Sequence, residues 1–374
     1  MIRQDDLATA VTQGVIDQAT ADRLLAIAGT RTASRGARLA DDEPFRLLGG
    51  FNDIFLSIGT ILIAAAIFGL GSVLKMNSEF PLQLDASTMF HVLVAASGIA
   101  VMWLLAEAFQ WRSPGRLPSL AAGALLTYFA WQFGGVLHNF VVASPVNTVV
   151  YFGMGPYLMA ALLSGVLASL LFGGLFYWRF RLPFMMLPLS SAVSFGCFIL
   201  LGIFVQRTTF NYVLAILLSL IIFSIAMRFD SSDRSRLTPR AAHGFWLHMS
   251  AAGLFVNGSI LPLLMSTIDP SRHDWVGVLA LMIGLVLVLG LIALAIDRRA
   301  LLLSSLGYTL SAIAVVVERT LEQGHNISLV TLPTIALGGL IIVLLGLFWR
   351  PLRALVLAPV RGSRLLDYLP PVRT

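Results

Sequence analysis

Charge is what this chain has least of. Only 12% of its 374 residues are Asp, Glu, Lys or Arg, against 57% hydrophobic, and the mean hydropathy is +0.86. Soluble domains carry about 25% charged residues, so a deficit spread along the whole chain puts most of it in lipid rather than water. Cysteine is nearly missing too. The single Cys197 excludes an internal disulfide and any multi-cysteine metal site. The apolar runs are continuous and lack a two-residue alternation, which excludes a transmembrane barrel. The first of them starts only at residue 51, so the chain shows no pattern of a cleaved signal peptide. There is no phosphate-binding loop, no HExxH, no CxxC and no G-x-S-x-G in a strand–turn–helix setting. The expectation is a protein that is not an enzyme and carries no cofactor and no metal.

What the chain does have is apolar stretches near the ~20 residues that cross a bilayer as helix. Ten candidate spans fall near residues 51–74, 86–106, 118–137, 157–178, 183–205, 210–227, 244–265, 275–296, 300–317 and 329–349. The expected fold is all-α, a polytopic integral membrane protein. Its parts are a head at 1–30, a linker at 31–50, a membrane domain at 51–349 and an Arg- and Pro-rich tail at 350–374.

Basic residues test that count independently, because Lys and Arg collect in cytoplasmic loops. The head and linker hold six and the tail holds five, and the alternate turns between them hold Arg112 and Arg116, Arg179 and Arg181, Arg228, Arg234, Arg236 and Arg240, and Arg298 and Arg299. The opposite loops hold only Lys75, Arg207, Arg272 and Arg319, so the 25 basic residues divide 21 to 4. That division predicts both termini in the cytoplasm of a bacterial inner membrane. The net charge of +6 follows from the same residues. They are spread over every inner turn with no aromatic platform between them, which points to topology and anionic headgroups rather than nucleic acid.

The head reads as a piece of soluble helical protein. Gly14 stands where a helix C-terminus favours a left-handed residue, and Asp17 is placed to cap the next helix. Ala21, Leu24, Leu25 and Ala28 give that helix one apolar stripe. Two helices this short bury too little to stand alone, so they must pack on inner loops or on a partner protein. The pattern of short helix, Gly14, Val15-Ile16, Asp17-x-x-Thr20 and Ala21-x-x-Leu24, then a linker and many spans, resembles one family of predicted bacterial membrane proteins. It is catalogued as domain of unknown function 2157, and the likeness covers the head and roughly the first four spans. The resemblance implies a topology and no catalytic or binding residue.

In the fourth span Ala161, Gly165, Ser169 and Gly173 recur every four residues, a ladder that lets helix backbones approach closely. The seam is either internal or between subunits. An ionisable residue deep in a span marks a functional site by default, and none is found there. Asp53, Glu107 and Asp297 fall at span ends. The deeper polar residues are Gln132, Asn257 and Tyr308, with Gly258 and Pro262 following Asn257 and able to loosen the helix there. If the protein transports, these three should converge on one cavity.

At the outer edge lie His91, His138, His273 and His325, with Glu318 and Glu322 on one helix face. Convergent groups of this kind bind divalent metal or sense pH, but they come from separate loops with no ligand spacing. Inside, His243 and His248 are five apart and do not share a helix face. The first functional expectation is a transporter-like or lipid-facing protein whose head docks or gates. The alternatives are a membrane scaffold, and an enzyme on a lipid-linked substrate at the outer face. The last requires Glu318, Glu322, Asp269 or Asp274 beside a histidine.

Overall fold

The apolar runs become long helices, and their ends fall where charged or turn-forming residues interrupt them. The structure, a computed structural model, describes residues 51–77, 84–112, 117–141, 154–202, 208–233, 238–268, 275–298 and 347–360, with isolated positions elsewhere. The helices are α1 (Phe51–Asn77), α2 (Leu84–Arg112), α3 (Leu117–Val141), α4 (Met154–Phe180), α5 (Met186–Gly202), α6 (Thr208–Ser232), α7 (Pro239–Ile268), α8 (Trp275–Ile296) and α9 (Trp349–Leu357). A 3-10 turn, Pro183–Met185, leads into α5. Among the described residues there is no strand, and six helices, α1 to α6, are long and apolar enough to cross a membrane. Their outward faces carry Leu62, Leu104, Leu167 and Leu220, each more than half exposed. Lipid accommodates such faces, whereas water would not.

The helices pack in two groups. In the first, α3 lies against α1, α2 and α4. Its core is apolar and aromatic: Met102, Ala106, Ala122, Leu126, Phe129, Ala130 and Phe176 are all buried. The rings of Phe176 and Phe180 lie 4.4 Å apart, with Trp103 edge-on to Phe176. In the second group α7 packs along α6 and also meets α8, against which α9 rests. The two groups are bridged by α5 and the 3-10 turn before it, which touch both α4 and α7.

The small-residue ladder of α4 forms a seam inside the chain, against α3. Ala161, Gly165, Ser169 and Gly173 are all buried. A Cβ on Gly165 would come within 2.9 Å of the Trp131 carbonyl oxygen, and one on Gly134, facing back, within 2.3 Å of the Ser164 carbonyl oxygen. The Ser169 hydroxyl donates to the Thr127 carbonyl oxygen at 3.1 Å across the same contact. Helix backbones touch here because nothing larger than glycine or serine stands between them.

Helix α7 runs unbroken through Asn257, Gly258 and Pro262, so the expected loosening does not occur. The Asn257 amide donates to the Gly253 carbonyl at 2.8 Å within its own helix, and Gly258 faces the Tyr212 backbone of α6. Glycine serves here as a packing residue, not as a break. In the head, Asp17 Oδ1 accepts the Thr20 amide at 3.1 Å, the geometry of a helix N-cap. The hydrogen bonds from the Thr20 side chain and backbone hold the Asp17 carboxyl below its ordinary value. Gly14, the ninth span apart from Leu301, most of the tenth, the loop at 142–153 and residues 361, 364–368 and 370–374 of the tail lie outside the described residues.

Candidate functional site

One end of the fold gathers the C-termini of α2, α4, α6 and α8 and the N-terminus of α7, and with them most of the described arginines. Among the described residues three non-glycine positions are left-handed, Arg181 (φ 53°), Arg236 (φ 58°) and Asp297 (φ 57°), and all three lie at turns of this end. Asp297 ends α8 in a Schellman motif, its own amide reaching the Leu294 carbonyl at 3.3 Å and the Arg298 amide reaching Ala293 at 2.9 Å. Aspartate tolerates this conformation where most side chains do not. The motif turns the chain back on itself and sends Arg298 towards α6 and α7.

Arg298 there meets Asp230, near the end of α6. Its Nε donates to Oδ2 at 3.0 Å, and its Nη2 donates to Oδ1. The same Nη2 donates to the Ala241 carbonyl of α7 at 3.0 Å. His248, in the third turn of α7, completes the group with Nε2 at 3.0 Å from Asp230 Oδ2. Asp230 is 3% exposed, and His248 and Arg298 are not exposed at all. Gly244 makes the fit possible, since a Cβ at that position would lie 2.5 Å from Asp230 Oδ1. The ring of Phe223 closes over His248 edge-on, with ring centroids 5.2 Å apart.

An ionised carboxylate only accepts, so the hydrogen between Asp230 and His248 sits on Nε2. His248 Nδ1 then holds a bare lone pair. That nitrogen and Arg298 Nη1 are buried with no hydrogen-bond partner among the described residues. The group is thus electrically balanced but polar, with two unsatisfied atoms in an apolar surround. Replacing such a buried ion pair by apolar residues is often neutral or stabilising, so stability alone does not account for it.

A second layer of bonds braces the same end. The Arg236 Nη2 caps α8 by donating to the Ile296 carbonyl at 3.0 Å and the Asp297 carbonyl at 2.8 Å. Asp297 accepts from Trp349 Nε1 at 2.8 Å and lies 3.8 Å from Arg353, which ties α9 to the end of α8. Asp233 accepts both the amide and the hydroxyl of Thr238, fixing the start of α7. On the first helix group, Arg179 pairs with Glu107 at 2.8 Å on a surface open to solvent.

The residues expected from sequence to matter are distributed differently. Gln132 sits on α3, its amide 3.4 Å from the Tyr128 hydroxyl one turn earlier, while Asn257 bonds within α7 in the other helix group. The structure does not bring these two together, and Tyr308 lies outside the described residues. His138 Nδ1 is 3.4 Å from the Ser164 hydroxyl, and His91 lies edge-on to Phe90. His273, Glu318, Glu322, His325, Asp269 and Asp274 lie outside the described residues. Among the described residues no group of three or more His, Cys, Asp or Glu is placed to hold a metal. His243 and His248 do diverge, His243 bonding the Tyr177 hydroxyl at 2.9 Å and the Pro239 carbonyl at 2.7 Å. A hollow of about 470 Å³ follows the outer face of α6 from Leu217 to Arg228 and includes no member of the Asp230 group.

Asp230, His248 and Arg298 are buried in the protein near helix ends rather than deep in a span, so the ionic group is what sequence reasoning misses and the expectation for the span interiors is not overturned. Arg228 ends the sixth apolar run at residue 227 and predicts Asp230 in the loop that follows, whereas the helix continues to Ser232. A signal was present. Ile222, Ala226 and Asp230 follow at four-residue steps and all are buried, so the apolar stripe of α6 runs straight into the carboxylate. On α7, Ala241, Gly244, His248 and Ala251 trace the facing stripe. No family model, no curated protein and no solved structure matches the chain.

Proposed function

We propose that this chain is a transporter-like protein of the bacterial cytoplasmic membrane, with ten spans, both termini in the cytoplasm, and a gate at its arginine-rich end. Asp230, His248 and Arg298 are the gate. The division of basic residues, 21 against 4, supports the orientation. The observation that carries the function is the buried ionic group itself, which joins α6, α7 and α8 at a single point. Ionisable groups in apolar helices mark substrate or ion pathways, and a network of two discrete arrangements is what a gate requires. Closed, its charges satisfy one another; open, water satisfies them. The head at 1–30, too small to fold alone, docks on this end and biases the balance.

The test uses full-length protein in liposomes with Cys197→Ser and a probe at Ala241→Cys, beside the Arg298 contact. Asp230→Asn should raise the labelling rate by a membrane-impermeant maleimide about tenfold, the effect of a ~1.4 kcal/mol shift between closed and open. A cysteine at Ser119, buried in α3, should stay protected. Equal labelling of both sites would mean general loosening, and no rise at either would sink the gate.

A scaffold that moves nothing is the second reading. It is favoured by the separation of Gln132 and Asn257, each bonded within its own helix. Under it the ionic group fixes the angle between α6, α7 and α8, and Asp230→Asn loosens the whole fold.

A further inference from the structure

We infer that His248 is the proton-binding group of this gate, so that the ligand taken here is a proton from the water at the arginine-rich end. The inference rests on the gate reading and deepens it. The geometry begins with Asp230, whose two oxygens are occupied by the guanidinium of Arg298 and by Nε2 of His248. Nδ1 is the unbonded ring nitrogen of the group, fully buried and without a partner among the described residues. Asp230 Oδ1 keeps a second lone pair, but a proton there would neutralise the carboxylate that answers the Arg298 guanidinium.

Among the described residues, the charged groups facing His248 come from three directions. Asp230 faces it from α6, Arg298 from the chain after α8, and Arg236 from the turn between α6 and α7. Helix α5 and the 3-10 turn, the other elements against α7, contain no charged residue. On its own helix, His243 is held by Tyr177 and Pro239. With His248 neutral, one carboxylate answers one guanidinium. A proton taken from hydronium onto the Nδ1 lone pair makes an imidazolium, and two cations then share one carboxylate with Arg236 close by. No covalent bond other than the new N–H is made, and water is the by-product. The surplus charge is disfavoured among apolar side chains and is relieved when the end opens to water. Reclosing returns the proton.

Full-length protein carrying 15N-histidine, in lipid nanodiscs, gives the direct reading on titration from about pH 8 to about pH 5. The His248 signal is the one lost in His248→Gln. The expected result is a Nδ1 resonance that passes from bare to protonated over this range. In parallel, labelling at Ala241→Cys, normalised to an exposed reference cysteine at Arg240, should rise about tenfold on acidification. His248→Gln should flatten that response. A Nδ1 that stays bare throughout, or an unchanged response in His248→Gln, overturns the inference while leaving the gate standing. Failure of Asp230→Asn to speed labelling at any pH removes the gate as well.

Discussion

The two helix groups solve the problem of association in lipid by opposite means. Around α3, contact comes from shape: glycines on one helix against backbone on the next, and aromatic rings filling what remains. Its one described ion pair between helices, Glu107 with Arg179, lies outside at the solvent edge. Around α7, helices meet through a carboxylate, an imidazole and a guanidinium enclosed among apolar side chains. Close packing feels the addition of a single methyl and offers no second arrangement to switch to. A buried ionic group has two, since its members are satisfied either by one another or by water. Under the gate reading proposed above, the first group holds and the second changes.

Removing one partner from the ionic group should give the largest effect in the molecule. Arg298→Ala leaves the Asp230 carboxylate buried without its cation, and breaking such a pair costs about 3–5 kcal/mol. The measurement is the unfolding midpoint of the purified protein in a mixed-micelle denaturant titration. Replacing all three members together, Asp230→Leu with His248→Leu and Arg298→Leu, should recover most of that loss, because no charge is left stranded. A triple variant as unstable as the single one would mean the group is a stability element, and the contrast between the two halves would collapse.

The apolar half should break differently. Gly134→Ala places a Cβ 2.3 Å from the Ser164 carbonyl oxygen, which is backbone and cannot turn aside. The α3–α4 seam must separate, at a cost of about 1–3 kcal/mol. The loss should fall on global stability, with labelling at Ala241→Cys unaltered. Acceleration of that labelling would show that the halves are coupled through α5.

Much of this contrast was open to the sequence, and the part that was not has a physical reason. Apolar length alone located α1 to α6, because a bilayer imposes a minimum helix length that few other environments demand. The α4 ladder was legible for a similar reason, since small residues at a four-residue step have little other use in lipid. Asp230 is not legible because Arg228 ends the apolar run before it, although a helix can carry its charged end into a packed core when a partner waits there. In sequence His248 has as its nearest titratable neighbour His243, which faces another way. Its real partners, Asp230 and Arg298, are set by a turn at the end of α8 whose left-handed residue is an aspartate, not the glycine that would have announced it.

Ser169→Ala tests how much of the α3–α4 seam is hydrogen bonding. The hydroxyl donates across the seam to the Thr127 carbonyl, and such bonds between membrane helices average about 0.6 kcal/mol. The methyl that replaces it fits the same space, so the unfolding midpoint should move by about that amount and no more. A loss near that of Gly134→Ala would make the seam polar in its energetics, and the first group would resemble the second.

The smallest effect is expected at Glu107. Glu107→Gln keeps the shape of the side chain and removes the charge that pairs with Arg179, whose side chain is 48% exposed. Water and salt already screen both groups, so the pair contributes under about 1 kcal/mol and less as ionic strength rises. The wild type and the variant should converge in stability at high salt. The same titration should leave Arg298→Ala as far below wild type as before, because counterions do not enter an enclosed site. Salt therefore separates the two kinds of ion pair on one molecule. If Arg298→Ala also converged on wild type, Asp230 would be in contact with solvent in the resting protein, and the end described as closed would already be open.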